Sequence, residues 1–180
     1  FITPENNLDG ITLKSKRKSI QRSFLSTINS FTVNQEELLK AACCNLAESF
    51  ETNPSIDISF SDALTGARQI EMLGLQSPYL LITQENIPSV RGASQVFGMT
   101  FTPGTWVESI QISKGAGSVV NGFESISGQI NAELVKPFTD NKIFVNAFGS
   151  QMGRLELNTH FNQRVSDKWQ TGFYIHGNYR

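Results

Sequence analysis

The stretch "WVESIQISKGAGSVVNGFESISGQINAEL", Trp106 to Leu134, alternates apolar and polar residues and then breaks at Lys114-Gly115-Ala116-Gly117-Ser118. It resumes a β pattern with glycines at 122 and 128. A phosphate-binding loop is one reading of such glycines, and spacing excludes it. A Walker loop places its lysine after the glycines and runs into a helix. Here Lys114 comes first, and Val119-Val120-Asn121-Gly122 is a poor helix start. The dinucleotide pattern G-x-G-x-x-G fails as well, because Gly115, Gly117 and Gly122 are wrongly spaced. The glycines read instead as sharp turns and close backbone approaches.

Upstream, residues 1–18 form a polar arm with a short alternating piece at Ile11-Thr12-Leu13. Its basic run, Lys14, Lys16, Arg17 and Lys18, reads as a solvated tail. Apolar residues at Leu38, Leu39, Ala42, Cys43, Leu46 and Phe50 predict one amphipathic helix over 35–50. Asn34 suits its N-cap, Glu36 and Glu37 suit the positive end of its dipole, and Pro54 ends it. Ile56 to Phe60 alternates strictly and predicts a strand. Residues 66–75 predict a second alternating run, and 79–88 a strand ending in a turn. Residues 89–105 read as a long shaped loop with one helical turn, and Val107 to Ile112 as a strand. The part up to Lys136-Pro137 is thus a small α+β domain.

Downstream the pattern becomes a meander of three antiparallel strands over 142–150, 154–162 and 169–180. Leu155, Leu157, Thr159 and Phe161 share one face of the second strand. Arg154, Glu156, Asn158, His160 and Asn162 share the other. Both a soluble sheet and a membrane barrel alternate in this way. The amide-rich polar faces and the aromatics near strand ends (Trp169, Tyr179, Phe161) point toward a barrel wall. Three strands cannot close, and an open edge in lipid leaves backbone groups unpaired. Membrane strands would therefore make this chain the N-terminal piece of a longer protein.

The bulk properties exclude other classes. With 180 residues and a formal net charge of −1, the chain can bury one sizeable core but lacks the basic face of a nucleic-acid binder. Cys43 and Cys44 are adjacent, which rules out a disulfide framework, and no further ligands are spaced nearby for a metal. They read as small packing residues of the helix. The chain opens with Phe1, and neither a signal peptide nor an apolar run of about 18 residues is visible. That leaves export and a membrane β-barrel open. His160 and His176 lie on polar faces of neighbouring strands, but no cysteine or carboxylate completes a triad or metal set. Asp57, Asp62, Glu71 and Glu85 have no acid–base spacing, so no enzyme and no cofactor is expected.

Taken in order, these elements resemble the plug domain of TonB-dependent outer-membrane receptors followed by the first barrel strands. The opening stretch carries the most specific match. It resembles the family's "I-E-x-I-E-V-x-K-G-P-x-S-x-x-Y-G-x-x-A-x-G-G-x-I-N-I". Glu108, Ile110, Ile112, Lys114, Gly115, Ser118, Gly122, Gly128, Ile130 and Asn131 are in register. Residues 28–60 resemble the plug's first strand, helix and second strand. Residues 68–75 resemble the "x-I-x-I-R-G" strand, with Leu73 where arginine is usual. Residues 79–90 resemble "V-L-I-D-G-V-P", with Gln84-Glu85-Asn86 in place of the Asp-Gly turn. These departures put an arginine pairing and the usual tight turn in doubt. The flavour is closest to Bacteroidetes-type receptors of the cobalamin and siderophore class.

The resemblance implies an α+β plug domain followed by antiparallel transmembrane β-barrel strands, in the bacterial outer membrane. It implies an arm over 1–18, a plug over 19–137 and barrel strands over 138–180. Its partners would be the TonB protein, outer-membrane lipid and an imported small-molecule ligand, with a surface lipoprotein also admitted. TonB would grip Leu8, Asp9, Ile11 and Leu13, and ligand would meet the plug apex at Tyr79, Gln84, Asn86, Arg91 and Met99. Two other readings stay open: a soluble α+β adhesion or assembly module, and a signal transducer with an extra domain before Phe1.

Overall fold

The computed structural model describes residues 20–22, 29–41, 46–50, 56–60, 68–76, 78–97, 99–151 and 153–179. The expected TonB contacts Leu8, Asp9, Ile11 and Leu13, and the pair Cys43-Cys44, lie outside the described residues.

The first part is built on a six-stranded sheet in the order β1-β2-β8-β9-β6-β7. Its strands are β1 (Ile20–Arg22), β2 (Ser30–Asn34), β6 (Leu80–Gln84), β7 (Ile87–Val90), β8 (Val107–Lys114) and β9 (Gly128–Leu134). A smaller sheet joins β3 (Asp57–Phe60), β4 (Arg68–Met72) and β5 (Leu75–Gln76). Period-two alternation decides the buried face: Ile110 and Ile112 of β8 and Ile130 and Ala132 of β9 point into the core. Leu38 of α1 (Gln35–Ala41) and Leu46 and Phe50, at and just after α2 (Leu46–Ser49), close over it. Of the helix expected over 35–50, the described residues carry Gln35–Ala41 and Leu46–Ser49, and 42–45 lie outside the described residues.

Two expectations change. The alternating run over 66–75 is a hairpin, with Leu73 and Gly74 at φ 55° and 73° turning β4 into β5. Alternation alone hid the turn, and Gly74 was its signal. The tight turn after β6 is kept despite the missing Asp-Gly. Glu85 and Asn86 take φ 53° and 62° and join β6 to β7. The Asn131 side chain holds that turn from β9. Its Oδ1 accepts from the Asn86 N–H at 2.8 Å and from the Thr83 hydroxyl at 2.9 Å. The Glu85 carboxylate accepts from the Leu134 N–H at 2.7 Å and pairs with Lys136 at 2.5 Å.

Strand register gives the large sheet two distinct ends. Ile20 pairs with Val33, Asn34 with Ser109 and Val107 with Leu134, so the segment before β1 enters where β9 finishes. The Glu85–Asn86 turn sits at this arm end. At the opposite, far end, Gly128 pairs with both Lys114 and Leu80.

The last three strands, β10 (Ile143–Gly149), β11 (Leu155–Arg164) and β12 (Gln170–Tyr179), form the expected antiparallel meander. Leu157 pairs with Ala147 on one side and Gly177 on the other.

Two outcomes follow from this packing. A Cβ at Gly128 would lie 2.3 Å from Met72 Sδ and 2.5 Å from the Ser113 carbonyl oxygen. The carbonyl belongs to a paired strand and cannot step aside. Gly128→Ala should cost about 1–3 kcal/mol, read as a lowered denaturant midpoint. For Glu85, burial raises the carboxyl's pKa, but its bonds to Lys136 and the Leu134 N–H outweigh burial and hold it below the ordinary value. A depressed carboxyl stabilises above its unfolded pKa and loses that contribution as pH falls through its folded one. Hydrogen-exchange protection around Leu134, corrected for intrinsic rates, should decline in that acidic window. In Glu85→Gln it should be low and flat with pH.

Candidate functional site

At the far end, the glycine-rich segment of the opening motif forms a built loop. Gly115 and Gly122, at φ 84° and 61°, make its reversals. The Gly115 N–H donates to the Ser127 carbonyl at 3.0 Å and the Gly117 N–H to the Ser125 carbonyl at 2.8 Å. The Ser118 hydroxyl accepts from the Val120 N–H at the start of a 3₁₀ segment, Val119–Ser125. Ser127 fastens the loop to the sheet, donating from both its N–H and its hydroxyl to the Tyr79 carbonyl. Arg91 grips Glu124 with Nε at 3.1 and 3.0 Å and Nη2 at 2.5 Å. The Lys114 ammonium lies 5.5 Å from the centre of the Phe31 ring.

The structure divides the five residues expected at one apex. Tyr79 and Arg91 are exposed at the far end. Gln84 and Asn86 sit at the arm end, one strand length away: five residues of β6, or about 17 Å. Met99 is 3% exposed and packs in the hydrophobic core. Topological placement put them together because a strand's two ends look alike in sequence. Of the motif residues, Lys114, Gly115, Ser118, Gly122 and Gly128 shape the far end, and Asn131 holds the arm-end turn. Glu108 lines a polar hollow of about 460 Å³ on the open sheet face, with Gln21, Thr32, Gln111 and Glu133.

The meander has the opposite polarity to a soluble sheet. Glu156, Asn158, His160 and Asn162 are buried, while Leu155, Leu157, Phe161, Phe173 and Ile175 are exposed. The polar face packs on the first part of the chain. Trp106 meets Tyr174 and His176 at ring distances of 5.6 and 6.4 Å. The Tyr174 hydroxyl donates to the Val135 carbonyl. Asp140 pairs with His160 Nε2 at 2.5 Å and accepts from Asn162 Nδ2 at 3.0 Å. His176 Nδ1 meets Asn158 Oδ1 at 2.6 Å. Trp169 and Tyr179 flank the apolar face at the two ends of β12. Ten extended residues span about 33 Å, which at a 35–45° tilt rises about 25 Å, the height of a barrel's apolar band. No helix among the described residues is long and apolar enough to cross a membrane.

These features agree with what the chain resembles. Residues 7–129 match the family described as TonB-dependent Receptor Plug Domain. No curated protein matches the chain. Among solved structures, the ferric-catecholate import receptor Fiu from E. coli superposes with a TM-score of 0.67. Identity is 18%, over 85% of this chain and 21% of the receptor. The ferric yersiniabactin uptake receptor FyuA from Yersinia pestis gives 0.62 at 16% identity, over 82% and 23%. The pyoverdine outer membrane receptor FpvA from Pseudomonas aeruginosa gives 0.62 at 15%, over 79% and 20%. The chain spans about a fifth of each of these receptors. At such identities the likeness is one of fold: a plug and the start of its barrel. With the family model matched over most of its length, the chain belongs to the plug-domain family of TonB-dependent receptors, proteins of the bacterial outer membrane.

Proposed function

We propose that the chain gates energy-coupled import of a scarce small molecule, a metal chelate or a cobalamin-like compound, across the outer membrane. Residues 1–18 act as the arm, 19–137 as the plug and 138–180 as wall strands of a barrel that further strands complete. The observation that carries this reading is the inverted polarity of β10–β12, apolar outward and polar toward the plug. A soluble adhesion or assembly module would bury the apolar side instead.

The two ends of the sheet then take different roles. The arm joins β1 at the end where the chain leaves β9 for the wall, so this end faces the periplasm and TonB. TonB needs only backbone and a few side chains to pair with Leu8 to Leu13 as an added strand. The far end, with Tyr79 and Arg91, faces outward and meets ligand. Ligand arriving at one end and pull applied at the other share the strands β6 and β9.

Two experiments bear on this. Ile11→Pro in the full-length receptor, expressed in cells, should reduce uptake to the level seen without TonB and leave ligand binding unchanged. Proline removes an N–H that strand addition uses. Uptake that persists would sink the energy-coupling assignment. On the outer face, Ile175→Lys, at the middle of β12, should cost about 2–4 kcal/mol when the full-length receptor folds into lipid vesicles, the penalty for a mid-bilayer lysine on a barrel. A soluble module would tolerate that exposed substitution.

A further inference from the structure

We infer that the basic run of the arm, Lys14, Lys16, Arg17 and Lys18, docks on its own plug, in the polar hollow on the open face of the six-stranded sheet. The run lies outside the described residues, and the hollow lies within them. The docking goes beyond the importer reading and does not depend on it.

The hollow has a volume of about 460 Å³ and is lined by amide, hydroxyl and carboxylate side chains. Glu36, Glu108 and Glu133 give it three negative charges, and no lysine or arginine lines it among the described residues. Among those residues Glu36 and Glu108 form no ion pair, and Glu133 accepts a neutral hydrogen bond from Gln111 Nε2 at 3.0 Å. Like charges around one recess repel one another, and a cationic segment relieves that repulsion.

The strand that the arm enters delivers it to this place. Gln21 of β1 lines the hollow beside Thr32, its register partner on β2, and Gln111 on β8. Ile20 pairs with Val33, so the chain followed back from Ile20 heads for the next row, that of Asn34, Ser109 and Glu133. Lys18 stands two residues before Ile20 and Lys14 six, so extended chain keeps them within about 7 Å and about 21 Å of it. A tether that short holds the cations at a high effective concentration beside the carboxylates.

β1 by itself fastens the arm poorly. Its three residues are all exposed, and among the described residues it pairs with β2 alone. It buries no apolar side chain, so little besides its backbone hydrogen bonds opposes peeling. Ion pairs between the run and the hollow give the arm a second hold, shared by α1, β8 and β9. Each pair is open to water, so the hold is a sum of weak contacts that salt screens. In sequence the run reads as a solvated tail because its counter-charges come from elements further along the chain. On the importer reading, the docked run keeps Leu8–Leu13 close under the plug until a pull breaks the pairs.

The run is its own probe, because trypsin cuts after lysine and arginine. Full-length purified receptor, with neither ligand nor TonB, is digested beside a synthetic peptide of residues 7–20, and release of the arm is followed by mass spectrometry. At about 20 mM salt the run should be cut about tenfold more slowly in the receptor than in the peptide, and at about 0.5 M the two rates should converge. Glu108→Gln combined with Glu133→Gln keeps the side-chain shapes and should bring the receptor within about twofold of the peptide at low salt already. Asp57→Asn, an exposed carboxylate on β3 away from the hollow, should leave the protection intact. Equal rates in receptor and peptide at low salt would overturn the inference. Protection that survives high salt or the paired variant would overturn it too, since the barrel wall would then be what shields the run. Either result leaves the importer reading standing, because that reading is decided by uptake in Ile11→Pro.

Discussion

The parallel pairing of β6 with β9 is the constraint from which the rest of the fold follows. Parallel strands cannot be joined by a tight turn, so the chain between them must cross from one end of the sheet to the other. It does so through β7, a helical-turn segment, β8 and the glycine-rich loop. That route fixes which loop lies at which end. It also places Asn131 beside Thr83, where one buried amide can hold the turn after β6. Gly128 begins β9 against Met72 and the Ser113 carbonyl, so the two sheets can approach only because no side chain is there.

A second consequence concerns polarity. Within the plug, apolar residues face inward and are excluded from water in the ordinary way. Within the meander they face outward, and the polar side faces the plug. The boundary between the two parts is therefore made of hydrogen bonds and aromatic edges, such as Tyr174–Val135 and Trp106–Tyr174. Such a boundary differs in kind from a hydrophobic core. Water can replace its hydrogen bonds at modest net cost, whereas parting core strands exposes apolar surface. On the proposed function, a plug seated this way shifts against its wall before its own core yields.

Much of this was legible in sequence. The meander, the polarity of its faces and the glycine motif were plain, because period-two alternation and glycine spacing are local signals. What was hidden depends on distant partners. The turn expected at the end of 79–88 falls at Glu85–Asn86, but it carries no glycine, and what holds it, Asn131, lies 45 positions on. The hairpin at Leu73 interrupts no alternation. Val119 and Val120, a poor helix start by residue type, open the 3₁₀ segment Val119–Ser125. Only the structure lifts them onto an exposed turn.

The same dependence explains why the expected apex residues divided between two ends. Gln84 and Asn86 belong with Glu85, Leu134 and Lys136, where the chain leaves the sheet for the wall. Tyr79 and Arg91 belong with Ser127 and Glu124, above the glycine loop. Each end carries one ion pair bridging β6 or β7 neighbours to the β9 side: Arg91–Glu124 at the far end and Glu85–Lys136 at the arm end. Both pairs flank the paired strands β6 and β9, which run between the two ends. A change at one pair reaches the other only if those strands move as a unit, since close-packed strands transmit displacement without deforming. On the proposed function this rigidity suits a plug that is pulled from one end. The strand pair carries load between the two ends, and the polar boundary with the wall is where motion is cheapest.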